Sequence, residues 1–152
     1  MTEHWIEVAG YRLDAGRYYD ANSHLWVETG VGADPTHIGF DPLGRETTGD
    51  VVEVSFVGAG TTVRRGDAFG SIEAAKYVGP LEAPVSLVVH TGNQQVLDRP
   101  GLLNEDPNQA WLVAVALADD SELAQLLTGE DQLRPWFAAE VERYRRQGAV
   151  AE

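Results

Sequence analysis

The chain has 152 residues, enough for one domain and too few for two ordinary hydrophobic cores. Its 24 acidic residues against 11 basic ones give a formal charge of −13, which argues against binding nucleic-acid phosphates or an anionic membrane surface. With 43% apolar and 23% charged residues the composition is that of a globular protein, and the absence of cysteine excludes disulfides, thiolate metal sites and a cysteine nucleophile.

In chain order, the opening MTEHWIEVAG has neither the basic nor the apolar region of a secretory signal. No apolar run nears the roughly 20 residues that span a bilayer, so a cytoplasmic location is expected. Short runs rich in Val, Trp and Phe between turn signals predict strands at 24–28 (HLWVE), 51–57 (VVEVSFV) and 111–117 (WLVAVAL). In the second of these, alternation puts Val52, Val54 and Phe56 on one face and Glu53 and Ser55 on the other. Turn signals at 29–35, 58–60, 64–67, 90–93 and 103–108 have the spacing of a small all-β sandwich or barrel.

Helical signals begin after residue 118. Asp119 and Glu122 suit a capping box ahead of Leu123, Leu126 and Leu127, and Thr128-Gly129 ends that helix. A second helix is predicted to start near Pro135, burying Phe137, Val141 and Tyr144. Arg143, Arg145 and Arg146 near its end complement the macrodipole. Trp136 is expected to seal one end of the barrel.

Familiar catalytic patterns are missing. Gly58-Ala59-Gly60 follows a strand, but Val63 stands where a dinucleotide fingerprint needs its third glycine. His4, His24, His37 and His90 lack the spacing of metal-ligand pairs, and His24, beside Trp26, is expected to pack on the barrel. There is no G-x-S-x-G elbow, and Asp119-Asp120 reads as a helix start.

Ten of the 11 basic residues are arginine; the exception is Lys76. An amine can be acylated where a guanidinium cannot readily be. Strand-like pieces at 68–74 (AFGSIEA) and 77–85 (YVGPLEAPV) flank it, and Pro80 and Pro84 confine the second piece to an edge. The expected geometry is a tight hairpin with Lys76 at or beside its tip, its amine in solvent.

From about Arg17 to Leu127 the sequence resembles the lipoyl-carrying H-proteins of the glycine cleavage system. Tyr19 through His24, Trp26 and Val27 resemble the family's Y-x-x-x-H-x-W-V, and Ile38-Gly39-Phe40-Asp41 its G-I-x-D segment. Thr48-Gly49-Asp50-Val51-Val52 resembles L-G-D-V-V, and Phe69 through Lys76 the F-G-x-x-E-S-x-K run, followed by Ala83-Pro84-Val85-Ser86. Leu102 through Pro107 with Ala110-Trp111-Leu112 resembles L-x-N-x-D-P and G-W-L. Ala74 stands where the family has serine, Leu87 where it has glycine, and Tyr77-Val78-Gly79-Pro80 departs from its usual sequence after the lysine. That segment is closer to H-like lipoate-binding proteins of heterodisulfide-reductase-like sulfur oxidation.

The resemblance implies a mainly β barrel-sandwich hybrid fold over 17–118, preceded by an extension (1–16) and followed by a helical segment (119–152) packed on the barrel. It implies lipoate amide-linked to Lys76 as a swinging arm, with no catalytic residue and no metal. Glu73, with Ala74, Ala75 and Tyr77, would be read by the modifying enzyme, a lipoate-protein ligase or the octanoyltransferase and lipoyl synthase pair. The arm would shuttle intermediates among the P-, T- and L-proteins of glycine cleavage, or serve a sulfur-oxidation complex. An unmodified binding or scaffold module with the same fold is the alternative of another class.

Overall fold

The computed structural model describes residues 4–150. An N-terminal hairpin, β1 (Trp5–Val8) and β2 (Tyr11–Asp14), precedes β3 (Tyr18–Tyr19), β4 (Leu25–Glu28) and β5 (Thr36–Phe40). Asp41 caps α1 (Pro42–Thr48), its side chain accepting from Gly44 N with proline in the first turn. Then come β6 (Val51–Phe56), β7 (Thr62–Val63), β8 (Ala68–Ala74), β9 (Val78–Glu82) and β10 (Leu87–Gly92). Two single-turn helices, α2 (Gln94–Asp98) and α3 (Gly101–Glu105), lead to β11 (Val113–Leu117), β12 (Leu127–Thr128) and the long α4 (Glu130–Arg146).

The strands form a seven-stranded antiparallel sheet in the order β12-β3-β4-β5-β11-β10-β7 and a three-stranded one, β6-β8-β9. Leu25, Val27, Ile38, Val54, Phe69, Ile72, Val85, Val89 and Val115 are buried together in one core shared by the two sheets. This is the mainly β barrel-sandwich arrangement expected from the sequence.

A second core lies on the other face of β3 and β4. Trp26 and Tyr19 pack there with Leu13 of β2, Leu43 of α1, and Leu133, Phe137 and Val141 of α4. β4 is therefore buried on both faces, which is why LWVE shows no alternation. Gly39 sits opposite Trp26 across β5, and a Cβ there would lie 2.3 Å from the indole, so only glycine leaves room for that ring.

Three expectations need correction. Val52 does not share a buried face with Val54: the register of β6 against β8 shifts between Val51 and Glu53, leaving Val52 61% exposed. On the side of Val51 away from β8, Asn104 of α3 accepts from Val51 N at Oδ1 (2.9 Å) and donates from Nδ2 to Val51 O (3.3 Å). Val51 stays paired with Ala74, and the extra residue of the bulge turns Val52 outward. The segment after residue 118 is a 3-10 turn, Asp120–Gln125, and Leu127 belongs to β12. Asp119 caps it through Ser121 N, but Glu122 bonds Ser86 N and Oγ (2.6 and 3.0 Å) instead of closing a capping box. Finally, α4 begins at Glu130, so Pro135 lies inside it. Its missing N–H removes one helical bond, a loss outweighed by the burial of Leu133, Phe137 and Val141.

Candidate functional site

Lys76 lies in the short connection between β8 and β9, beyond the last cross-strand pair, Glu73 with Val78. The turn is closed by Ala74 N donating to Tyr77 O (2.9 Å). It is also held from below. Lys76 N donates to Thr48 O (2.9 Å) and Ala75 N to Asp50 O (3.0 Å), so the end of α1 and the residues after it brace the tip. Gly49, between those two carbonyls, has φ 84° and ψ −175°, a region essentially restricted to glycine. A Cβ at Gly49 would lie 3.1 Å from Ala75 Cβ, Lys76 Cγ and Lys76 N. The Lys76 side chain is exposed, and among the described residues no carboxylate lies within 4 Å of its amine.

The other predicted contacts distribute unevenly around the tip. Ala75 is exposed beside Lys76, whereas Ala74 points into the core. Glu73 is exposed on the outer face of the three-stranded sheet, directly opposite Glu53 of β6. Like charges so placed repel, and neither has an ion pair among the described residues. Val78, 73% exposed, adjoins Glu73. Tyr77 is turned back: its hydroxyl donates to Pro80 O (3.0 Å), and the ring lies against Gly79, where a Cβ would meet the hydroxyl at 2.7 Å.

A cavity of about 300 Å3 opens beside the tip, with Leu25, Phe40 and Ile72 among its lining and Thr48, Tyr77 and Tyr144 contributing polar groups. His24 also lines it. This residue, only 5% exposed and at φ 57°, links three elements. Nδ1 is 2.7 Å from Asp41 Oδ2, Nε2 is 2.9 Å from Glu140 Oε1 of α4, and the ring stacks on Trp136 at 5.3 Å. Burial alone would lower the His24 pKa, but the two carboxylates outweigh it and raise the value to about 9. The imidazolium then donates from both nitrogens. Glu140 is held below the usual carboxylate range by its bonds to Arg143 and, against some burial, to His24. His24 does pack on the barrel, as an ion-paired cation, and Trp136 caps its ring. The His24–Glu140 contact joins residues 116 apart in sequence, and no local pattern announces it.

Among the described residues no three His, Asp or Glu side chains converge to hold a metal, and no helix is long and apolar enough to cross a membrane. The arrangement presents one braced side-chain amine, free of ion pairs among the described residues, near a partly apolar cavity whose lining includes the neighbouring Tyr77 and Thr48.

The chain is similar to known proteins of one kind. The family model described as glycine cleavage H-protein matches residues 17–136. A glycine cleavage system H protein 4 of Aquifex aeolicus is 33% identical over 132 residues, covering 86% of this chain and 74% of the relative. A glycine cleavage system H protein of Bacillus cytotoxicus is 39% identical over 111 residues, covering 72% and 86%. The crystal structure of a glycine cleavage system H protein from Mycobacterium marinum superposes with a TM-score of 0.65 at 29% identity, covering 80% of this chain and 96% of that one.

Proposed function

The chain belongs to the glycine cleavage H-protein family, and on that premise we propose that it is a lipoyl carrier whose attachment point is Lys76. The observation that carries this reading is the position of the chain's one lysine: on a hairpin tip braced by the Thr48 and Asp50 carbonyls, exposed and unpaired by any carboxylate among the described residues. Acylation forms an amide between Nζ and an activated lipoyl carboxyl. The leaving group departs and the amine proton passes to solvent. Lipoate, when bound, would supply a disulfide that a partner enzyme's reaction could reduce to two thiols with two electrons and two protons; the protein supplies its position and its recognition by partners.

The chain's own contribution is mechanical. The brace holds the backbone of the tip still, so the arm swings from a fixed anchor and keeps its cargo at high effective concentration near a docked enzyme. Glu73 and Glu53, exposed and unneutralised, with Val78 beside them, suit a basic, partly apolar surface on the modifying enzyme. No residue of the site is assigned a catalytic role. Its partners on this reading are the lipoylating enzymes and the P-, T- and L-proteins of glycine cleavage. A second reading, service to a heterodisulfide-reductase-like sulfur-oxidation complex, draws on the Tyr77–Pro80 segment, locked by its own hydrogen bond.

Intact mass after expression with lipoate and a lipoate-protein ligase tests the attachment. The expected result is one lipoyl group on the wild type and none on Lys76→Arg. No mass gain, or a gain that persists in the variant, overturns the carrier reading and favours an unmodified scaffold. Reconstitution of glycine cleavage with the P-, T- and L-proteins then separates the two pathways.

A further inference from the structure

An unbroken path of hydrogen bonds runs from α4 to the backbone of the hairpin tip. His24 donates from Nε2 to Glu140 Oε1 (2.9 Å) and from Nδ1 to Asp41 Oδ2 (2.7 Å). The other oxygen of Asp41 accepts from Gly44 N (2.7 Å), one of the first-turn donors that a helix cannot itself satisfy. Gly44 O accepts from Thr48 Oγ1 at 2.7 Å, and Thr48 O accepts from Lys76 N at 2.9 Å. His24 is also the seat of α1. Asp41 N donates to its carbonyl (2.9 Å), and a Cβ on Gly44 would lie 2.8 Å from His24 Cβ, so the first turn rests directly on this residue. His24 itself sits at φ 57°, a left-handed conformation that surrounding contacts must hold for a residue with a side chain. Arg45 of α1 reaches Asp50 Oδ1 (3.2 Å), and Asp50 O takes the second tip bond, from Ala75 N. α1 is thus tied to both carbonyls that brace the tip. The path begins beyond residue 136, where the family match ends.

We propose that Glu140 is a positioning residue for the acylation of Lys76, acting through His24, Asp41 and α1 on the Thr48 carbonyl that holds the tip. The braced tip and the open tip are two states of one element, and the path from α4 favours the braced one. In the open state Lys76 N has lost Thr48 O, and the target amine hangs from a loosened turn. The acylation served is that of the carrier reading, on which this role rests: the bond from Nζ to the lipoyl carbonyl forms, the bond from that carbonyl to its activating group breaks, and the amine proton passes to solvent. The coupling of Glu140 to the Lys76 amide needs no acylation and stands apart from that reading.

Native-state hydrogen exchange at the Lys76 amide reads the brace, and the rate of lipoyl transfer by a lipoate-protein ligase reads the presentation of the amine. Glu140→Ala is expected to speed Lys76 exchange by about threefold or more and to lower the ligase kcat/KM by a similar factor. Glu140→Gln, which keeps an acceptor for Nε2, is expected to recover most of both. Val141→Ala is the control for a merely structural role: it removes a buried side chain of the same helix without touching the path. It is expected to lower the midpoint of urea unfolding while Lys76 exchanges at the wild-type rate, because that amide opens locally. Thr48→Val cuts the path at its other end, so adding Glu140→Ala to it is expected to speed Lys76 exchange no further. Effects that add in the double variant, as those of independent sites do, overturn the path. So does equal Lys76 exchange in Glu140→Ala and wild type, or the same acceleration in Val141→Ala. Faster exchange with an unchanged ligase kcat/KM overturns the positioning role. Failure of wild-type Lys76 to accept lipoate counts against the carrier reading alone, because amide exchange is measured on the unmodified chain.

Discussion

Replacing Gly49 with alanine separates backbone strain from the bracing of the hairpin tip. At φ 84° and ψ −175° an L-residue is strained by about 1–3 kcal/mol. The new Cβ also meets Ala75 Cβ, Lys76 Cγ and Lys76 N, each at 3.1 Å, and overpacking of this kind costs about 1–3 kcal/mol. The loop can escape both by withdrawing from the tip, but it then gives up the Lys76 N–Thr48 O and Ala75 N–Asp50 O bonds, about 1 kcal/mol each. Withdrawal is the cheaper course. Gly49→Ala is therefore expected to lower stability by about 2 kcal/mol, a fall in Tm of about 4–8 °C for a domain of this size. Amide exchange at Ala75 and Lys76 should quicken by about thirtyfold. The rate of lipoylation should change, because the target amine is no longer presented on a fixed anchor. Gly60→Ala is the control: its φ of 85° is similar, but nothing lies within 4 Å of the added carbon, so only the backbone part remains. Urea unfolding, hydrogen exchange and ligase kinetics make the three readings. A Gly49→Ala protein within about 0.5 kcal/mol of wild type, with unchanged protection at Ala75 and Lys76, would refute the bracing.

The folded pKa of His24, about 9, lies above its ordinary 6.5, so its contribution to stability is fully present below about pH 6.5 and is lost as pH rises through 9. The difference corresponds to about 3 kcal/mol. Urea titrations from pH 6 to 10 should show this decline in the wild type and a flatter profile in His24→Gln; parallel profiles would remove His24 as the cause. Tyr11, raised by burial and by Glu46 to about 12, does not titrate in that window. Glu73→Gln removes the repulsion across the β6–β8 pair, so Tm should rise slightly while lipoylation slows; an unchanged ligase kcat/KM would show that the enzyme does not read this carboxylate.

Local pattern was enough to read the mainly β character of the chain, five of the twelve strands of the described residues, and the place of Lys76 between two of them. Each of these depends on near neighbours: AFGSIEA forms β8 as its composition predicts, and Pro80, which cannot donate to a ladder, suits β9 to the sheet edge. The bulge at Val52 was not legible, because it is a shift in the pairing of β6 with β8, a strand about 20 residues further along, that the alternation of β6 alone does not record. The helix predicted at 119–127 failed for a similar reason. Glu122 is drawn to Ser86, and Leu127 finds a better partner in β3 than in another helical turn. What supports the tip and what holds His24 charged were set by long-range packing alone. Thr48 and Asp50 act through carbonyls that every residue type possesses, and His24 becomes a buried cation only when Asp41 and Glu140 meet it from separate elements. Side-chain pattern records which residues avoid water; it does not record which distant charges and backbone groups will be brought together when they do.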